Sequence, residues 1–330
     1  MDPSFGSRIG YHDVLDNLSR KICNDFELGS FLGNELVLTG YEDFNFVLDT
    51  TRNRFFVKVF ATSKTILDCK RYVDIMAKVI VSGVKTPSLI RTRNGYLNVL
   101  SLGQTNLRFC LLEYVDGKDF FNLSERPDDV AIRRVAQQAA LINSIALRPP
   151  FVYDAWAVTN FKKEFDRKSK YLSLEDLRQL SSLYREFDHL KIRKLPHCFV
   201  HGDLVRTNIM KDRKGEIWII DFSVSNTYPR IQEISVLASD FLFDSKNRSE
   251  TRRKYRIALD EYQKTKPLTE FERKALPKYI KLAFGMHILL TTYEKSVNQN
   301  FSKETEHYLQ LGRDGLRQLA DDHDFFNEII

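Results

Sequence analysis

The pattern of apolar and polar positions changes character once along the chain. Val14 to Phe26 repeats with the period of an amphipathic helix. Three strand-like runs follow, Leu36 to Thr39, Asn45 to Leu48 and Phe55 to Phe60, with TTRN (50–53) as the turn between the last two. Ser63 reads as the N-cap of a helix reaching about Ser82, stopped by Gly83 and Pro87. Further strands are predicted around Ser88–Arg91, Tyr96–Leu100 and Leu107–Glu113. From Asp128 onward helical periodicity dominates, with helices near 128–146, 160–171, 174–190, 229–243, 248–263, 268–295 and 303–320. One β-rich island, Cys198 to Ser225, interrupts them. The order predicts an α+β fold: a small antiparallel β lobe with one helix (1–113), then a large, mainly helical lobe (114–330). YVDGK (114–118) is the natural join, and a cleft between two such lobes is a common ligand site.

The island holds the stretch HGDLVRTNIM (201–210). Phe199 and Val200 end an apolar strand, and Asn208 opens another at Ile209–Met210. Asp212–Arg213–Lys214–Gly215 has the chemistry of a type I turn, and Ile217 to Ile220 forms a strand ending in Asp221. If 212–215 is the loop, Lys211 faces Glu216 and Asn208 faces Ile219, two residues short of Asp221. Directly paired residues lie about 5 Å apart and diagonal ones about 7–8 Å. Asn208 and Asp221 therefore meet at one end of the hairpin, where the Asp203 loop also lies. Two carboxylates and a carboxamide are hard oxygen ligands suited to Mg²⁺ beside phosphate oxygens. Taken singly, Asp203 would form an Asx turn and Asn208 would cap a loop; taken together they point to function.

A second clue lies in FFVKVF (55–60), where alternation puts Phe56, Lys58 and Phe60 on one face. A lysine on an otherwise apolar strand must snorkel to an edge or meet an anion. The second reading aims Lys58 at phosphates.

Composition narrows the class. The chain has 330 residues, 43% hydrophobic and 28% charged, ample for a core in one two-lobed unit or two domains. The net charge of +6 is scattered. Its densest cluster, Lys246, Arg248, Arg252, Arg253, Lys254 and Arg256, reads as a solvated helix face, so neither specific nucleic-acid nor membrane binding is expected. The four cysteines have no metal spacing and read as small buried hydrophobes. MDPSFGSRIG has no apolar signal core, and Ile280 to Tyr293 is too short to span a bilayer; the expected location is the cytoplasm.

HGDLVRTNIM followed by IIDFSVS (219–225) resembles the catalytic and metal-binding pair of the aminoglycoside phosphotransferase and choline kinase family, which has a protein-kinase-like fold. LTGYEDFNFVLDT (38–50) with FFVKVF resembles that group's first hairpin and phosphate-contacting lysine, and LLEYVDGKD (111–119) its interlobe hinge. The spacing in DFSVSNTYPRIQEISVL (221–237) is similar to the homoserine-kinase-like branch.

The resemblance implies an ATP- or GTP-dependent kinase of a small hydroxylated metabolite. Asp203 would be the catalytic base, and Asn208 and Asp221 would hold Mg²⁺. Lys58 would contact the α- and β-phosphates, and the Gly40–Asp43 turn would cover them. The Glu113 carbonyl and Val115 amide would hold the purine edge, and Glu233 would brace the catalytic loop. Such chemistry rests on positioning and charge neutralisation.

Three features depart from the pattern. The phosphate-covering turn has one glycine, Gly40. Tyr72 falls near the position of the lysine's usual acidic partner, leaving Asp68 or Asp74 as substitutes. Val205 replaces a polar residue beside Arg206, which is either a surface arginine or a γ-phosphate contact. Asp240 and Asp244 either attract an amine-bearing substrate or serve their own helix. The alternative function is a catalytically silent nucleotide-binding scaffold of the same fold. A protein kinase is disfavoured, because only about eight residues separate Asp221 from the helix near Pro229.

Overall fold

The structure, a computed structural model, describes residues 3–37, 43–102, 105–123, 125–320 and 325–326. The chain divides into two compact units, Met1–Lys118 with Asp212–Ile220, and Asp119–Lys211 with Asp221–Ile330.

The first unit begins with α1 (Pro3–Ile9), which the apolar pattern did not announce, and α2 (Leu15–Asp25). Next come β1 (Phe31–Val37), β2 (Phe44–Thr50), β3 (Arg54–Val59), α3 (Ile66–Val81), β4 (Leu89–Ile90), β5 (Asn98–Leu102) and β6 (Thr105–Glu113). The strands form one antiparallel sheet in the order β1-β2-β3-β6-β4, with β5 also on β6. One face buries Phe44, Phe46, Leu48, Val57, Val59, Phe109 and Leu111 against Leu18, Ile22 and Phe26 around α2. The cap of α3 is Thr65 rather than Ser63: its hydroxyl and the Asp68 carboxylate form a reciprocal capping box.

The chain crosses to the second unit through β7 (Gly117–Asp119). Helices α4 (Phe120–Leu123), α5 (Asp129–Ile142), α6 (Phe161–Lys168) and α7 (Leu174–Phe187) follow. Strands β8 (His197–Val200), β9 (Ile209–Asp212) and β10 (Ile217–Ile219) make up the island, β10 belonging to the first unit, and β11 (Asn226–Pro229) follows it. The last helices are α8 (Ile231–Ser239), α9 (Arg248–Gln263), α10 (Glu270–Val297) and α11 (Lys303–Gln318). Helices α10 and α11 approach closely: a Cβ on Gly315 would meet Phe284 Cδ1 at 2.1 Å, so only glycine admits this packing. Lys254 lies buried in α9 and Arg253 pairs with Glu250 and Asp129, so this stretch is not wholly a solvated basic face.

The turn before β10 differs from expectation by one residue. Asp212 N–H donates to the Glu216 carbonyl at 3.0 Å and Gly215 N–H to the Asp212 carbonyl at 2.9 Å. Gly215 has φ +79°, so the loop is a turn closed by a bulge glycine. Asp212 therefore takes the place expected of Lys211 opposite Glu216, and the register moves by one.

Candidate active site

The 201–208 loop leaves β8 under tight control. Val200 pairs with Asn226 of β11, and Ser225 Oγ donates to the His201 carbonyl at 3.1 Å. Glu233, in the first turn of α8, accepts from His201 N–H at 2.9 Å and Gly202 N–H at 3.0 Å, which is the bracing expected of it. Burial pushes Glu233 up to about 7, and the two amides pull against that rise. Gly202 adopts φ +88°, a conformation open to glycine, as the loop turns back. Asp203 N–H then donates to His201 Nδ1 at 3.2 Å, so that ring nitrogen carries no proton. His201 therefore shapes the loop.

A short turn over Arg206–Asn208 returns the chain to Asp203. Asn208 Nδ2 donates to Asp203 Oδ2 at 2.7 Å and to the Asp203 carbonyl at 3.0 Å. With its nitrogen committed, Asn208 has its carboxamide oxygen as the side-chain atom able to meet a cation. Asp221 sits at φ +60°, a left-handed conformation uncommon outside glycine, and its Oδ1 accepts from Ser223 N–H at 3.2 Å. Backbone strain of this kind gathers at functional sites.

Charge converges on Asp203. The residue is half-buried, and burial together with the carboxylates of Asp154, Asp221 and Glu304 pushes it up to about 8; the Asn208 amide opposes this. Glu304, in the first turn of α11, is itself raised to about 7 by burial and by Asp119 and Asp240. Asp154 is buried, with Oδ1 accepting from Trp156 N–H at 2.8 Å. Sequence reading missed Asp154 and Glu304, because each is a lone acid far from HGDLVRTNIM along the chain. Among the described residues no three His, Cys, Asp or Glu side chains form a preassembled metal cluster. The donors nonetheless fit a hard cation: a carboxamide oxygen and a carboxylate, with further acids close by.

Arg206 and the acids that follow α8, Asp240 and Asp244, have structural partners. Arg206 N–H donates to Asp240 Oδ2 at 2.6 Å, and Nη2 donates to the carbonyls of Asp240 at 3.2 Å and Phe243 at 3.1 Å. The arginine thus fastens the loop to the C-terminal end of α8, where a cation is favoured. It is not a free surface arginine: its guanidinium is engaged by two carbonyls. Asp240 is fully buried, and buried Asp244 pairs with Arg126 at 2.6 Å. Both acids are engaged by partners of their own unit, as a structural role for them would require.

In the first unit, Lys58 is 4% exposed. Its ammonium pairs with Asp43 Oδ2 at 2.9 Å and lies 5.2 Å from the centroid of the Tyr72 ring. Asp68 is engaged in the α3 capping box and Asp74 is exposed, so neither substitute expected for the lysine's partner fills that role. Glu113 ends β6 opposite Phe55, and its N–H donates to the Ser88 carbonyl at 2.8 Å. Val115 is buried, its carbonyl accepting from Gly117 N–H at 2.9 Å. Gly40, with Tyr41 and Glu42, lies outside the described residues.

An antiparallel sheet with a buried lysine, and an H-G-D-x-x-x-x-N loop braced beside a strained aspartate in a mainly helical unit, define a small-molecule kinase with a protein-kinase-like fold. The chain belongs to the phosphotransferase enzyme family (APH), whose model matches residues 35–268. It is 25% identical over 285 residues to homoserine kinase of Rhodopseudomonas palustris, covering 85% of each chain. Homoserine kinase of Agrobacterium fabrum is 21% identical over 275 residues, 81% of this chain and 82% of the relative. Among solved structures, amicoumacin kinase hAmiN in complex with AMP-PNP, Ca²⁺ and Ami superposes with a TM-score of 0.69 at 14% identity, covering 100% of both chains. Choline kinase LicA from Streptococcus pneumoniae gives 0.64 at 14% identity, covering 93% of this chain and 99% of that one. Membership implies use of a nucleotide and a divalent metal. No helix among the described residues is long and apolar enough to cross a membrane.

Proposed function

We propose that this protein moves the γ-phosphate of ATP or GTP to a hydroxyl of a small cytoplasmic metabolite. Asp203 orients the acceptor hydroxyl and takes its proton. Residues 1–113 bind the nucleotide: Lys58 contacts the α- and β-phosphates, the turn at Gly40 covers them, and the Glu113 carbonyl and Val115 amide hold the purine edge. Residues 114–330 hold the acceptor and the catalytic loop. Asn208 and Asp221 would hold Mg²⁺, which supplies positive charge to the phosphate oxygens when bound. The names of the relatives favour an amino alcohol or a homoserine-like acceptor.

The observation that carries this reading is the convergence on Asp203. Its carboxylate is fixed by Asn208 at 2.7 Å, in a loop whose His201 and Gly202 amides are braced by Glu233. A base held in one rotamer is what hydroxyl activation requires; such a base contributes about 10²–10⁴-fold.

The test is nucleoside diphosphate release with ATP or GTP, Mg²⁺ and a panel of homoserine, amino alcohols, sugars and aminoglycosides, beside an Asp203→Asn control. Turnover well above the control with at least one acceptor supports the reading. Nucleotide binding without turnover on any acceptor favours the silent scaffold.

A further inference from the structure

Lys58 needs a counter-charge, and in protein kinases that charge comes from the helix after the lysine's strand. Here α3 offers an aromatic ring in its place, Tyr72, with the ammonium 5.2 Å from the ring centroid. The carboxylate comes from the sheet. In the β2–β3 register Asn45 faces Lys58 and Phe44 faces Val59. Asp43 stands two residues before Asn45, the diagonal position on the same face. It is 6% exposed, and its Oδ2 meets Lys58 Nζ at 2.9 Å and Lys64 Nζ at 2.8 Å. Its Oδ1 accepts from Ala61 N–H at 3.1 Å, tying the end of β3 to the same carboxylate. Burial works to raise Asp43, and attraction to the two lysines overcomes this and holds it below the usual carboxylate range.

We infer that Asp43 is the positioning residue that aims Lys58 at the nucleotide phosphates, with the Tyr72 ring as the second wall of its seat. This rests on the phosphotransferase reading above. Three consequences give it content. The ion pair joins neighbouring strands, so the aim of Lys58 does not wait on a carboxylate carried by α3. Asp43 is the last residue of the Gly40–Asp43 turn expected to cover the phosphates, so one residue belongs to that turn and to the seat of the lysine. Asp43 also holds a second ammonium, Lys64, so Lys58 can shift towards a phosphate without stranding a buried carboxylate.

The experiment is calorimetric titration of ATP with Mg²⁺ into the full chain and its variants, with the melting temperature of each. Asp43→Asn keeps the volume and the acceptor for Ala61 N–H but removes the charge. Binding should weaken about 10- to 100-fold, the range for a lost charge-assisted contact. Asp43→Glu should recover part of the loss, which a packing role would not allow. Asp68→Asn and Asp74→Asn should stay within about threefold of the parent, since each lies outside the seat. In turnover, Asp43→Asn should raise the nucleotide KM and leave the acceptor KM within about twofold. Unchanged ATP affinity in Asp43→Asn, or an equal loss in Asp68→Asn or Asp74→Asn, overturns the inference and leaves the phosphotransferase reading standing. Absence of ATP binding by the parent protein overturns both. Should Asp43→Asn not fold, Tyr72→Leu decides: a loss of about threefold or more supports the seat, in the range of one cation–π contact, and unchanged affinity overturns it.

Discussion

Asn208 Nδ2 lies 2.7 Å from Asp203 Oδ2 and 3.0 Å from the Asp203 carbonyl, so one carboxamide holds both the side chain and the backbone of the proposed base. Replacing Asn208 by alanine frees the carboxylate to rotate and removes a proposed oxygen ligand together. The expected result is a fall in kcat of about 10²-fold or more, within the span ascribed to a positioned base. Steady-state turnover of Asn208→Ala checks it, and activity within a few-fold of the parent would remove Asn208 from the site.

Asp221 separates stability from activity. Asn tolerates the φ +60° backbone as well as Asp does, and its oxygen can still accept from Ser223 N–H. Asp221→Asn keeps the shape of the side chain and these backbone demands, so it should melt within about 2 °C of the parent. Its turnover should fall about 10²-fold or more, because the charge of a proposed metal ligand is gone. A matched loss of stability and activity would mean that Asp221 is structural.

Glu233 holds two buried amides on one carboxylate. Glu233→Gln offers a single acceptor oxygen and turns an NH₂ group toward the second amide. Leaving that donor unpaired should destabilise the protein by about 1–3 kcal/mol. The loop carrying Asp203 should shift, lowering kcat more than the nucleotide affinity falls. Urea unfolding and the split between kcat and KM measure the two effects separately.

Acid sensitivity should come partly from His287. The residue is 6% exposed, with Nε2 3.2 Å from Ser239 Oγ and its ring stacked on Tyr308 at 5.1 Å. Burial lowers it from 6.5 to about 4; Asp240 opposes the shift and His307 adds to it. Below pH 6.5 the unfolded chain takes up a proton that the folded protein declines, so stability is lost as pH falls toward 4. Between pH 7 and pH 5 the loss should be about 2 kcal/mol. His287→Gln should flatten that slope in urea unfolding at the two pH values, and an unchanged slope would assign the sensitivity elsewhere.

Much of this was legible where local signals agree with long-range packing. The period of residues 248–263 coincides with α9 because its cap, Asn247, and its apolar stripe mark the same limits. The HGDLVRTNIM loop was legible because its polar residues sit close along the chain, framed by apolar strands. Asp43 was hidden, because its meeting with Lys58 is a diagonal across two strands and the partner expected of the lysine lies on α3. The G1 bulge at Gly215 moved the hairpin by one residue, a shift that turn composition alone does not reveal. Strand β11 went unread because Asn226–Pro229 ends in a proline, which reads as a break unless the strand lies at an edge. Arg206, Asp240 and Asp244 looked functional by their charge, yet they pair with other side chains or backbone groups of their own unit.

The central claim is that a phosphoryl group passes to an alcohol under the control of Asp203. Phosphorus NMR of ATP, Mg²⁺ and the acceptor panel follows that atom directly. The account predicts a new phosphate-monoester resonance that grows as the γ-phosphate of ATP declines, with an Asp203→Asn variant at least about 10²-fold slower. A γ-phosphate that stays on the nucleotide with every acceptor, or an ester formed equally fast by Asp203→Asn, would contradict it.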